Sequence, residues 1–280
     1  MTGRDGCGPV IVPVNGVASP RSLRPGAAFA ERAGTDLVVV GAVTSGRSVA
    51  ERERELETVF EATGLGGAVI VREDGDPARL VTESLADAPD AVVCVATREP
   101  GDVPGSLFGA IAGDVVRAVD APLLIVGPGV RVDEPWRWDE LAICIEDGAA
   151  SEAALPCAAD WAATLGVRLR LLHVVDRGRA LELRFRHPRV HFHDESYVQG
   201  MASDLTASRP EGSPNVDSEL LYGSRPEYAL ADFLERHPDT MPFLAIRGRD
   251  SWERFASGSL AARVVQGSAS PVLVVRDPSL

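Results

Sequence analysis

The residues best suited to hold a ligand lie near the end of the chain. There Ala245-x2-Gly248-x9-Gly258-Ser259 runs from an apolar segment into an Ala- and Val-rich one. Glycine just before a helix leaves backbone N–H groups open at the positive end of the helix dipole. With a serine hydroxyl added, such a terminus can cradle phosphate. The same Gly-Ser pair can also do no more than cap a helix. Arg247 and Arg249 flank Gly248 and can pair with phosphate oxygens, while Trp252 and Phe255 add bulk to the intervening loop. Two acids, Glu146 and Asp147, follow the apolar run LAICI. A histidine group, His187, His191 and His193, precedes Asp194 and Glu195. Its spacing could ligate a transition metal, but the segment reads as a solvated polar loop, and no metal is expected. His173, inside LLHVV, reads as a packed or strand-end residue, and His237 as a helix-terminal one.

Covalent chemistry is poorly represented. The chain has no GxSxG, no HExxH and no Cys-His pairing pattern. All 28 basic residues are Arg, so Schiff-base chemistry and a phosphate-loop lysine are excluded. No catalytic residue is assigned, and an enzyme is not expected. The four cysteines, at 7, 94, 144 and 157, form no CxxC. Cys94 and Cys144 sit in apolar runs and read as buried thiols.

These residues need a scaffold, and 280 residues at 45% apolar content suffice for two domains. The net charge of −13 is shared: residues 1–130 hold 18 acids against 11 Arg, and the remainder is similarly acidic. That field repels nucleic acid and anionic lipid, so neither is an expected partner. No apolar run approaches the ~18 residues of a membrane span. The first residues lack a signal-peptide pattern, so a soluble cytoplasmic protein is expected.

Apolar runs alternate with amphipathic stretches. VIVPV, LVVV, AVIV, AVVCVA and LLIV read as strands in the first half, with helices predicted over 21–32, 48–63, 77–86 and 109–119. Pro25 should delay or kink the first helix. The Glu/Arg run from Glu51 to Glu57 reads as a solvent-facing helix side with ion pairs. The pattern restarts with LAICI, a helix over 151–165, LLHVV, a weaker strand over 217–221, a helix over 225–235, a strand over 243–246, a helix over 259–266 and VLVV. Strands apolar on both faces and separated by helices imply parallel sheets covered on both sides. Gly109–Val126 aligns without a gap to Gly258–Val275, with seven of eighteen positions identical, so the halves are a repeat. The second half carries about 17 additional residues, placed at 176–215 and read as a long, weakly periodic connection.

On VIVPVNG, the SEAAL helix start, LLHVV, the closing PLLIV and PVLVV strands and the glycine motif, the chain resembles the universal stress protein family in its tandem two-domain form. The resemblance implies an α/β fold. Two doubly wound five-stranded parallel sheets of order 3-2-1-4-5 would carry helices on both faces. The last strands would pair back to back as an intrachain pseudo-dimer, hiding sheet edges. The expected domains are residues 1–129, a linker over 130–139, and residues 140–280. ATP-binding members carry Asp at the end of the first strand and Gly-x2-Gly-x9-Gly-Ser/Thr from the fourth strand onward. Here the resemblance implies a C-terminal nucleotide site of Glu146 or Asp147, Val175, Gly248, Gly258 and Ser259. The N-terminal counterpart reads Ala96-x2-Glu99-x9-Gly109-Ala110, with Asn15 in place of the acid; Asn15 and Gly109 are its remaining candidates. Glu99 would repel a triphosphate. The implied function is regulatory or sensing. ATP or another adenine nucleotide would bind the C-terminal domain, with magnesium only as its counterion, and a protein partner would be unidentified. The alternative is a nucleotide-independent interaction module with relic sites. Homodimerisation is left open.

Overall fold

The computed structural model describes residues 7–14, 21–43, 48–61, 67–72, 76–97, 110–132, 136–145, 152–176, 195–246 and 259–276. The chain divides into two compact units. One comprises Met1–Trp136 with Pro271–Arg276, and the other is built on Arg137–Ser270.

The first unit opens with β1 (Val10–Val14), α1 (Leu23–Ala33) and β2 (Leu37–Ala42). It continues through α2 (Val49–Glu61), β3 (Gly67–Arg72), α3 (Pro77–Asp87) and β4 (Val92–Ala96) to α4 (Ala110–Ala118) and β5 (Leu123–Val126). Its sheet runs β3-β2-β1-β4-β5 in parallel, the expected order. Every residue of β4 and β5 is buried, as strands covered on both faces require. The chain's last strand, β10 (Val272–Arg276), joins this unit and runs antiparallel to β5, with Leu273 opposite Leu124. The predicted pairing of PLLIV with PVLVV is therefore present. Arg276 fastens β10 by donating to Asp120 Oδ1 and to the Val116 carbonyl, each at 2.7 Å.

Local sequence explains the helix ends. α1 opens at Leu23, two residues later than the predicted start at 21, and Pro25 lies in its first turn, where no intrahelical N–H is needed. Gly26 follows because a β-carbon there would sit 2.8 Å from Val12 Cγ2; glycine lets α1 lie against the sheet. α2 starts in a reciprocal capping box: Ser48 N–H donates to Glu51 Oε2 at 3.0 Å, and Glu51 N–H donates back to Ser48 Oγ at 3.3 Å.

The second unit holds β6 (Glu140–Ile145), α5 (Leu155–Leu165), β7 (Arg168–Val175), α6 (Glu195–Ala207), β8 (Val216–Tyr222), α7 (Pro226–Arg236), β9 (Thr240–Ile246) and α8 (Ser259–Gly267). Its four strands are parallel in the order β9-β6-β7-β8. At their amino ends a buried carboxylate ties three strands together. Glu140 accepts from Arg170 Nε at 2.8 Å and from Thr240 Oγ1–H at 2.6 Å, with Arg168 at 3.6 Å. Arg170 also donates to Glu219 at 2.7 Å. Burial opposes ionisation of Glu140, but the bonds from Arg170 and Thr240 and the positive charges outweigh it, leaving its pKa below the ordinary carboxylate value. Trp138, in the expected linker, is buried and donates its indole N–H to Ser270 Oγ at 2.9 Å.

Four expectations are corrected. Within 176–215 the structure forms α6, whose Val198 and Ala202 are buried at helical spacing. The parallel neighbours β7 and β8 need a crossover of this kind. The regular α5 starts at Leu155 instead of 151, with Pro156 in its first turn. Cys144 is only half-buried, whereas Cys94 is buried as predicted. In α2, Arg52 is buried, with 3% of its side chain exposed, rather than solvent-facing.

Candidate functional site

In the second unit, β6 is flanked by β7 on one side and β9 on the other. The chain leaves β6 toward β7 and returns later as β9, so the strand order switches between β6 and β9. In open α/β sheets, ligands lie outside the carboxyl ends of the strands at such a switch point. The two strands are in register from Glu140 opposite Thr240 to Ile143 opposite Phe243. Their carboxyl ends, Ile145 and Ile246, are both buried. Glu146 and Asp147 follow Ile145 directly, and Gly248 stands two residues after Ile246.

Of the predicted site residues, Val175 and Ser259 fall within the described structure. Val175 is the last residue of β7, half-buried, opposite Tyr222 of β8. Ser259 is the first residue of α8, so its place in the backbone is at the helix's amino end. Glu146, Asp147, Gly248 and Gly258 lie outside the described residues, as do Asn15 and Gly109 in the first unit. The histidines at 187, 191 and 193 lie outside them too. Among the described residues no group of three or more His, Cys, Asp or Glu could hold a metal ion. No helix among them is long and apolar enough to cross a membrane.

His173 stands beside this switch point. It pairs in register with Ile145, is buried at 6% exposure, and its Nδ1 lies 2.9 Å from the Ile145 carbonyl oxygen. A carbonyl only accepts, so Nδ1 carries the hydrogen. The ring thus fixes the last described residue of β6, immediately before the acidic pair. The sequence reading of His173 as a packed strand-end residue agrees with this position, but not even the LLHVV pattern signalled the bond to β6. His237, by contrast, caps its own helix: Nδ1 reaches the Phe233 carbonyl at 2.8 Å and the ring stacks on Phe233.

Residues 138–276 match the model of the universal stress protein family. This second half is thus a universal stress protein family domain. No curated protein matches it in sequence. Among solved structures, a universal stress protein from Archaeoglobus fulgidus DSM 4304 is 18% identical, with 96% of each chain covered and a TM-score of 0.63. A protein of unknown function from Pseudomonas aeruginosa PAO1 is 11% identical over 98% of this chain and 94% of its own, with a TM-score of 0.62. At such identities these likenesses show the universal stress protein fold over nearly the full chain, and the fold alone.

Proposed function

We propose that the chain is a regulatory universal stress protein whose second unit binds an adenine nucleotide, ATP foremost, and whose conformational stability reports occupancy. The observation that carries this reading is the side-by-side placement of β6 and β9, with α8 opening at Ser259. Glu146 or Asp147 would take the ribose end, Val175 would line the base, and Gly248, Gly258 and Ser259 would receive the phosphates. Magnesium would enter only as the nucleotide's counterion. A ligand that binds only the folded, closed form stabilises it by mass action, and that shift is the signal a partner could read. We read the protein as a sensor, not an enzyme, because the sequence carries no GxSxG, no HExxH and no Cys-His pairing pattern.

Thermal unfolding of wild type and Gly258→Trp, with and without ATP and magnesium, tests this. At 100 times Kd the wild type gains about 2.7 kcal/mol, or several degrees. Loss of the shift in Gly258→Trp supports the reading. A shift that survives the substitution, or no shift in the wild type, overturns it; the second result favours a nucleotide-independent interaction module.

A further inference from the structure

The first unit lacks most of the glycine motif, yet it buries a cation at the matching end of its sheet. Arg52 lies in the first turn of α2, and only 3% of its side chain is exposed. Its Nη1 donates to Glu55 Oε2 at 3.1 Å. Nε and Nη2 are closed off from solvent and have no hydrogen-bond partner among the described residues. These two nitrogens form one edge of the guanidinium, with their N–H bonds parallel. That edge is the fork that fits a carboxylate or phosphate bidentately.

Its position is defined by Gly41 of β2. A β-carbon on Gly41 would lie 2.6 Å from Leu56 Cδ1 and 3.8 Å from Arg52 Nε. Glycine here lets α2 close onto the strand and brings the guanidinium over it. Gly41 pairs with Val14, the last residue of β1. The fork therefore sits at the carboxyl ends of β1 and β2, where parallel sheets take their ligands. The amino end of α2 adds its own positive potential at the same place. Glu51 answers part of that charge but is committed to the capping box with Ser48, and Glu55 holds only the opposite side of the guanidinium.

A buried arginine with two orphaned donors is costly to fold, and a bound oxyanion would satisfy both in one step. We propose that Arg52 anchors an oxyanion site in the first unit, taking a small carboxylate- or phosphate-bearing ligand on its Nε/Nη2 edge. This site stands apart from the nucleotide reading of the second unit. It differs from a triphosphate cradle, because it uses one planar fork in place of a glycine loop. Since the edge is enclosed, admission requires local opening, and the bound anion is shielded from competing water.

The test is thermal unfolding of the full chain with inorganic phosphate, with acetate, and with chloride at matched ionic strength. The wild-type midpoint should rise by about 5 °C at 100 times Kd for the anion that fits, and chloride should have no effect. Arg52→Met, which keeps the stem but removes the fork, should show no rise while unfolding at or above the wild-type midpoint in anion-free buffer. A response to phosphate alone identifies a phosphate ligand; a response to both anions identifies a general oxyanion site. Equal responses in wild type and Arg52→Met overturn the proposal, as does silence of the wild type toward both anions. Should Arg52→Met not fold, Arg52→Lys retains the charge without the fork, and its half-saturating anion concentration should rise by about tenfold or more. An unchanged value also overturns the proposal. Survival of an ATP-dependent shift in Arg52→Met leaves the second-unit reading untouched, so the two can fail separately.

Discussion

Replacing Glu140 by Gln should expose how much the second unit depends on one buried carboxylate. Glu140 is 4% exposed and accepts from Arg170 and Thr240, with Arg168 alongside. Glutamine keeps the shape but loses the charge and the capacity to accept two guanidinium bonds. Breaking a buried pair by removing one member costs about 3–5 kcal/mol. Arg170 keeps Glu219 and is 20% exposed, so some of its charge stays compensated and the cost should fall near the lower end, at about 3 kcal/mol. That corresponds to a midpoint lower by about 6–12 °C. The pH dependence has a definite sign. The folded-state pKa of Glu140 lies below the ordinary carboxylate value, so its contribution is complete above that value and is lost as pH falls through the lower, folded-state pKa. The gap between wild type and Glu140→Gln, measured by chemical denaturation from pH 7 downward, should stay constant to about pH 5 and then close. A gap under about 1 kcal/mol at pH 7, or one that does not change with acidification, would refute this account of the network. The double variant Glu140→Gln/Arg170→Met should be milder than the sum of the two single variants, because it removes both charges together.

Other substitutions probe single contacts. Gly26→Ala places a β-carbon 2.8 Å from Val12 Cγ2, and overpacking of this kind should cost about 1–3 kcal/mol by urea denaturation. Ser48→Ala removes one half of the capping box of α2 and should cost about 1 kcal/mol, with the loss concentrated in amide exchange of the first turn. His173→Phe preserves the aromatic bulk but removes the donor to the Ile145 carbonyl; stability should fall by about 1–3 kcal/mol, and the ATP-dependent midpoint shift should shrink with it.

Most of the fold was legible because it is written redundantly. Apart from the weaker β8, each strand contains a run of several apolar residues, any one of which can change without losing the pattern, and the ungapped repeat of 109–126 at 258–275 supplies each half with a second reading of the other. The element that escaped, α6, was hidden by composition. Its surroundings are rich in Arg, His, Ser and Pro, and its apolar face is reduced to positions such as Val198 and Ala202. A topological rule would have found it, since two parallel neighbours cannot be joined without a crossover, and α2 fills the same place between β2 and β3.

The site was legible in place more than in chemistry, since topology names a location but single residues decide what binds there. The strand order alone points to the β6–β9 end, whereas neither His173 nor Arg52 belongs to the glycine motif. Arg52 was nevertheless visible to geometry. Leu56 and Phe60 are buried in α2, and stepping back four residues from Leu56 along the same helix face arrives at Arg52. Read as charge, the Glu-Arg alternation describes a solvated surface; read by helical period, it places a guanidinium in line with the apolar stripe. Burial of that cation is then what the sequence requires, and the question it raises is which anion completes it.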